Sequence, residues 1–406
     1  MTKSERILLI LLTVSIFINY VDRGNLSIAA PLLTQELSMN KTQLGALLSS
    51  FFWTYALVQL FGIAGWLTDR FPVGWVLAIG YFLWSAATAA TGWIHGFTAF
   101  FIMRLILGAG ESVAYPCYSK ILASDFPQHH RGLANSIIDA GSKMGPALGT
   151  LLGGLLMARL GWRWFFIGLG IGSLVWLIPW IKYMPRDRAA ESVARHKGPT
   201  LLELLRQRSA WGCFVAHFCG NYYWFFLLTW LPSYLVQERK YSMDGMAVVG
   251  SIAYVAIAIA TIIAGWWSDR KIAHGRSATF ARKMCVCGGL IGATVIVPVS
   301  IIRNETFSIT LLLLACMSFG VYTSNNWAIT QTLSGPLAAG RWTSIQNGVG
   351  NLSGIAAPWL TGFVVEETGA FYLAFVVAAV IALIGAFFWG VIVGPVETVK
   401  WSRARN

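Results

Sequence analysis

Long apolar stretches alternate with short polar ones along the whole chain. A helix that crosses a bilayer needs about 20 mainly apolar residues. On that rule the first half holds six segments, near 7–30, 43–67, 74–93, 97–122, 133–158 and 163–183. A polar, basic stretch follows from Met184 to Arg208. Six more segments lie near 210–236, 246–267, 284–302, 307–331, 342–365 and 370–394. The pattern predicts an all-α membrane protein with twelve transmembrane helices. It divides into an N-terminal six-helix bundle (1–183), a cytoplasmic linker (184–208) and a C-terminal six-helix bundle with a short cytoplasmic tail (209–406). Leu201–Leu205 reads as a short amphipathic helix within the linker.

Composition agrees with this reading. Hydrophobic residues make up 56% of the 406 and charged residues 12%. Mean hydropathy is +0.62. Soluble domains carry about 25% charged residues. The 41 glycines and 14% aromatics suit closely packed helices with interfacial belts. A net charge of +13 raises the question of nucleic acid, but the placement of the basic residues argues against it. Lys3, Arg6, Arg186, Arg188, Arg195, Lys197, Arg206, Arg208, Arg270, Lys271, Arg276, Arg282, Lys283, Lys400, Arg403 and Arg405 all fall on one side. The other side has fewer, Lys41, Arg159, Arg163, Arg239, Lys240 and Arg303, with Glu238, Glu305, Glu366 and Glu367 among them. The positive-inside rule then puts both termini in the cytoplasm, with the chain in the inner (plasma) membrane. The apolar run after Lys3 and Arg6 outlasts a signal peptide and carries Asp22 and Arg23. It reads as the first membrane helix, retained in the mature protein. The six cysteines form no CxxC pair and read as small packing residues.

The two halves repeat. Gly65-Trp-Leu-Thr-Asp69-Arg70 closes the second segment, and Gly265-Trp-Trp-Ser-Asp269-Arg270 closes the eighth, 200 residues later. A repeat at half the chain length implies two pseudo-symmetric bundles. This G-x-x-x-D-R pair and the six-plus-six arrangement resemble the major facilitator superfamily. Phe71-Pro72-Val73-Gly74-Trp75 stands where a paired-basic tail is usual, a departure that touches the conformational latch and not the fold. Four further motifs look like the anion:cation symporter family of that superfamily. They are Tyr20-Val21-Asp22-Arg23, Arg104-x6-Glu111-x3-Tyr115-Pro116, Trp230-Leu231-Pro232-x-Tyr234-Leu235 and Asn347-x2-Gly350-Asn351-x2-Gly354-x3-Pro358. That family includes bacterial sugar-acid transporters, such as those for galactonate and glucarate, and is similar to the vesicular glutamate and sialic acid carriers. The resemblance implies that Tyr20, Tyr55, Ser324, Trp327 and Asn347 line a substrate pocket. It also implies that Gly65, Asp69, Arg70, Gly265, Asp269 and Arg270 form the conformational motif, and that the carrier is a monomer.

The charges inside the segments carry the chemistry. Arg104 and Glu111 are seven residues apart, so they share one helix face. A charge at membrane depth costs several kcal/mol unless it faces a cavity or a partner. Glu111 therefore reads as a proton site and Arg104 as its switching partner. A static ion pair that fixes this helix against the first is the alternative. Asp22 and Arg23 lie about 24 Å along a helix that starts near Arg6. Arg23 reads as the clamp for a substrate carboxylate, and Asp22 as a second proton site opposite Arg104. The alternative puts both at a solvated helix end. Asp139 and Lys143, at i and i+4, share a face. They either neutralise each other or give the cavity a second cation, which would favour a dianion or a sulfonate. Gly132-x8-Gly141-x3-Gly145-Pro146-x2-Gly149, followed by Thr150, is similar to a motif of superfamily antiporters. Close packing with a proline kink is the simpler account.

The second half offers neutral groups: Asn221, Tyr222, Tyr223, Ser324, Asn325, Asn326, Trp327, Asn347 and Asn351. These can hydrogen-bond hydroxyls or stack on a substrate body, or they can glue helices together. His217 reads as a packed polar residue. No cluster has metal-ligand spacing, no Walker-type loop is present, and no Ser/His/Asp set sits at convincing depth. The expectation is a non-enzyme without cofactor. It imports a small organic anion, a sugar acid or related carboxylate, with protons, by alternating access in the lipid bilayer. An anion exchanger or H+-coupled exporter is the second reading, and a non-transporting receptor the third.

Overall fold

The computed structural model describes residues 1–36, 41–185 and 199–401, and their regular structure is helical throughout. The linker residues Arg186, Arg188, Arg195 and Lys197 and the tail residues Arg403 and Arg405 lie outside the described residues. So do the side chains of Lys41, Thr150, Pro232, Pro358 and Glu366. The first half contains α1 (Lys3–Glu36), α2 (Lys41–Leu60), α3 (Ile63–Arg70), α4 (Val73–Thr91), α5 (Phe97–Glu111), α6 (Ala114–Asp125), α7 (Arg131–Leu160), α8 (Trp162–Leu174) and α9 (Leu177–Tyr183). The expected short helix is α10 (Leu201–Leu205), with the Thr200 hydroxyl capping the Glu203 amide. The second half contains α11 (Arg208–Gln237), α12 (Met243–Ala273), α13 (Ala278–Ala293), α14 (Ile296–Ile301), α15 (Glu305–Thr368) and α16 (Tyr372–Phe387).

Every predicted segment lies on a helix or a helix pair, but several are broken. Among the described residues, eight stretches are long and apolar enough to cross a bilayer, or nine with the α2–α3 pair, bent by 56°. At 64 residues α15 would run about 96 Å if straight, three bilayer cores deep. Gly335, at φ 60 and ψ 177, interrupts it and divides segments 307–331 and 342–365.

Proline explains three other breaks. It has no N–H, so it frees the carbonyl four residues upstream. Pro116 frees Ser112 at the α5–α6 junction, Pro179 frees Val175 at α8–α9, and Pro298 frees Thr294 at α13–α14. The Ser112 carbonyl does not stay unpaired. Gln59 Nε2 on α2 donates to it at 2.7 Å.

Each half has its own core. In the first, Tyr81, Trp176 and Trp180 stack in series, with centroids 4.2 and 5.0 Å apart. The two indole N–H groups are satisfied by the Leu11 and Gly74 carbonyls. In the second, Tyr223, Phe319 and Trp342 are fully buried. Large apolar side chains such as Phe61, Trp164 and Ile178 point outward, as lipid contact requires. The cysteines are free, and all but the half-buried Cys287 are buried.

The halves meet at the end that carries the repeated motif. A Cβ on Gly65 would strike the Arg341 Cα and, at 2.9 Å, the Gly340 carbonyl. A Cβ on Gly265 would strike the Ser136 hydroxyl and, at 2.7 Å, the Gly132 carbonyl. Each copy thus sets a glycine backbone against the opposite half. The motif acids also bond. Asp269 pairs with Arg282 at 2.7 Å and accepts from the Gly132 and Leu133 amides at 3.1 and 2.7 Å. It caps the first turn of α7 from the other half. Asp69 pairs with Lys120 at 3.0 Å. The motif arginines do not share this work: Arg70 is exposed, and Arg270 is exposed over the Trp266 ring. Cross-half bonds from Thr343 to Ser119, between Asn135 and Gln331, and from Ser344 to the Gln59 carbonyl complete the closure.

Candidate functional site

Beyond that closed end a polar cavity lies between the halves. It holds about 530 Å³ of empty space, part of it open to solvent. The first half lines it with Tyr20, Arg23, Tyr55, Tyr115, Asp139 and Lys143. The second contributes His217, Asn221, Trp224 and Phe225 from α11, and Phe319, Tyr322, Thr323, Asn326, Trp327, Asn347 and Asn351 from α15. The spacing explains the lining. Residues 319, 322, 323, 326 and 327 follow i, i+3, i+4, i+7 and i+8, which is one helix face. Of the sequence candidates, Tyr20, Arg23, Tyr55, Lys143, Trp327 and Asn347 reach the cavity. Ser324 does not. Its hydroxyl is turned into α15, bonded to the Val321 carbonyl at 2.6 Å and to Asn325 at 2.8 Å.

Arg23 is the cation at the junction of cavity and bundle. Its guanidinium lies over the rings of Tyr20, Phe51 and Tyr55 at 4.6, 5.1 and 4.7 Å. Its Nε donates to Glu111 Oε2 at 2.8 Å. Glu111 is fully buried and lies behind the cavity wall. The expected partners are therefore exchanged. Arg104 shares its helix with Glu111 yet makes no ion pair among the described residues. Its Nε has no partner, and its guanidinium sits over Phe51 at 5.2 Å. Asp22 is buried too. Thr88 and Asn25 donate to its Oδ1 at 3.2 and 3.3 Å. The helix-end alternative for Asp22 is ruled out by that burial.

Lys143 pairs with Asp139 at 3.2 Å and lies 3.9 Å over the Trp224 ring of the other half. Both readings of this pair thus have a physical basis: the charges neutralise each other, and the ammonium still faces the cavity. Asp22, Glu111 and Asp139 balance Arg23, Arg104 and Lys143, so the site with all six ionised carries no net charge.

Neutral groups close the site. Asn347 donates to the Tyr55 hydroxyl at 2.9 Å and to Gln59 at 3.0 Å, across the halves. Tyr115 stacks near Trp327, and His217 packs on Trp327 at 4.6 Å while its Nδ1 meets the Asn326 amide at 2.8 Å. Sequence reasoning missed Gln59, Trp224 and Arg282. The signal for Trp224 was present, since 217, 221, 224 and 225 share one face of α11. Nothing local marked Gln59, whose role depends on a proline in another helix. At the far end of α1, Glu36 accepts from Arg163 at 2.6 Å and from Trp162 at 2.8 Å. The Arg163 hydrogen bond holds this carboxyl below its ordinary range.

The chain matches the model of the Major Facilitator Superfamily over residues 12–358. It is 28% identical to a probable galactarate/D-glucarate transporter of Bacillus subtilis, over 94% of this chain and 90% of that one. It is 28% identical to a D-galactonate transporter of Escherichia coli, over 96% of each. A probable sulfoacetate transporter of Cupriavidus necator is 27% identical, over 98% of this chain and 95% of that one. Among solved structures, FucP in the outward conformation superposes with a TM-score of 0.70 at 15% identity, over 95% of this chain and 99% of that one.

Proposed function

The chain belongs to the Major Facilitator Superfamily and is a membrane transporter, not an enzyme, and on that premise we propose that it imports a small organic anion together with protons. The anion is a sugar acid or related carboxylate. Twelve transmembrane helices, in two six-helix halves joined by the 184–208 linker, rock around the cavity in the inner membrane, with both termini in the cytoplasm. One protomer suffices.

The observation that carries this reading is the Arg23–Glu111 pair at 2.8 Å. Arg23 reaches the cavity, whereas Glu111 does not. A buried charge left without its partner is costly. A proton on Glu111 removes its charge and leaves Arg23 in need of an anion, which the substrate carboxylate supplies. Each proton adds one positive charge to a site that is otherwise neutral, so proton and anion enter together. Arg104 and Arg23 lie over the same Phe51 ring, at 5.2 and 5.1 Å. Arg104 offsets whichever carboxylate remains charged, and Asp22 is the second proton site. Tyr20, Tyr55, Trp327 and Asn347 contact the neutral body of the anion. Lys143 supplies a second cation. The names of the relatives, for galactarate or glucarate, galactonate and sulfoacetate, support the anion class.

A thermal-shift screen of carboxylates and sulfonates on the purified protein tests the substrate assignment. Ligand binding stabilises the folded state by mass action, by about 2.7 kcal/mol at one hundred times Kd. A sugar acid should raise Tm, and the corresponding neutral sugar should not. A shift with neutral sugars alone would overturn the assignment.

A further inference from the structure

The buried polar side chains behind Arg23 are unusually poor in partners. Both amide atoms of Asn19 lack a hydrogen-bond partner in the protein. So do Asp22 Oδ2, Asn25 Oδ1, Ser85 Oγ, Arg104 Nε and Glu111 Oε1. All six residues are at least nine-tenths buried. Buried polar groups are normally satisfied, by protein or by ordered water. A buried water typically serves about three such groups. Donors and acceptors are both present here, as a water cluster requires and a bare cation site does not. None of the six lines the anion cavity.

The arrangement is directional. Asn19, Asp22 and Asn25 recur at every third residue of α1, so they form a stripe along one side. Ser85 and Thr88 face that stripe from α4, and Thr88 bonds Asp22. Asn19 and Asp22 are both neighbours of Glu111, with no direct hydrogen bond from either to its carboxyl. The other charged or titratable groups around them are Arg23 on α1, Tyr55 on α2, Tyr81 on α4, Arg104 on α5 and Tyr118 on α6.

We propose that this stripe bounds a hydrated proton path from Asp22 to Glu111, separate from the anion cavity, in which Asn19 is the residue that positions the relaying water. It rests on the proton-symport reading given above. The step is a simple relay. Asp22 as a carboxylic acid gives up one proton, water passes it on, and the Glu111 carboxylate takes up one. Charge is conserved, and the negative partner of Arg23 is lost. Proton and anion then use different routes that meet only at Arg23.

Proteoliposomes with radiolabelled D-galactonate as probe test this, using wild type, Asn19→Leu and Asn19→Ser. Two rates are read: uptake driven by an acidic exterior, and counterflow at equal pH. Asn19→Leu fills the path with a side chain that cannot hold water. A one-unit pH gradient is worth about tenfold accumulation per proton, and this variant should lose it while counterflow stays within about twofold of wild type. Asn19→Ser keeps a hydroxyl and leaves room for water, so it should recover pH-driven uptake. Full pH-driven uptake in Asn19→Leu would overturn the path. Equal loss of both rates in both variants would also overturn it, as a packing role. Wild type that shows counterflow but no response to pH would overturn the symport reading itself, and this inference with it.

Discussion

Arg23 Nε lies 2.8 Å from Glu111 Oε2, although the two residues sit on different helices and only Arg23 touches the cavity. In the proposed cycle the guanidinium is a shared partner, serving Glu111 or an anion but not both at once. Arg104, which the sequence suggests as the partner of Glu111, is left over the Phe51 ring with no ion pair among the described residues. The first prediction follows from that division. Arg23→Lys keeps a charge but loses the planar fork that suits a carboxylate. Anion affinity should fall by about tenfold to a hundredfold, or about 1.4–2.8 kcal/mol. Isothermal titration with the anion found by thermal shift measures this. Unchanged affinity would remove Arg23 from the clamp.

The Lys143–Asp139 pair makes a second test. Truncating one member of a buried charge pair costs about 2–5 kcal/mol. Lys143→Met leaves Asp139 facing the anion, so KM should rise at least about tenfold. If the pair only neutralises itself, the double variant Lys143→Met/Asp139→Asn should restore KM. If Lys143 holds the anion, KM should stay high. Transport kinetics of the three forms separate the two.

Two glycines, Gly65 and Gly265, set the closest backbone approaches between the halves at the motif end. Gly265→Val places a side chain against Ser136 and Gly132. Overpacking costs about 1–3 kcal/mol, a factor of about 5–150 in a two-state population. The closed end should open. Spin labels at the exposed Arg70 and Arg270 positions should report a longer distance in Gly265→Val than in the parent. An unchanged distribution would mean that the contact does not govern closure.

Arg282 is fully buried at the motif end. It binds Asp269, Ser268, Asn325 and the Gln128 carbonyl. Asp269→Asn leaves that charge buried and underpaired, at a cost of about 3–5 kcal/mol. Arg282→Met should be milder, because Asp269 keeps the α7 amides. The double variant should be less damaged than the sum of the two, since the residues share one network. Thermal unfolding in detergent measures all three.

Much of this was legible in the sequence. The apolar period places the helices, and the Gly65 and Gly265 repeats place the end where the halves meet. Asp22, Arg23, Arg104 and Glu111 stand out because charge is scarce in such segments. Which arginine pairs with Glu111 was not legible. Spacing along α5 favours Arg104, but the pairing depends on how α1 packs against α5, and no single helix encodes that. Nor did the sequence separate the acids of the repeated motif from its arginines. Asp69 and Asp269 make the bonds, while Arg70 and Arg270 remain outside. Ser324 looked suitable by type, yet it lies off the 319–327 face that lines the cavity.

Proton and anion must enter together if Arg23 is shared as described. The direct measurement uses proteoliposomes with a pH-sensitive dye inside and equal pH on both sides. Adding the anion outside should acidify the lumen in step with anion uptake, and Glu111→Gln should abolish the acidification while counterflow persists. Anion uptake without acidification, or with alkalinisation, would contradict the account.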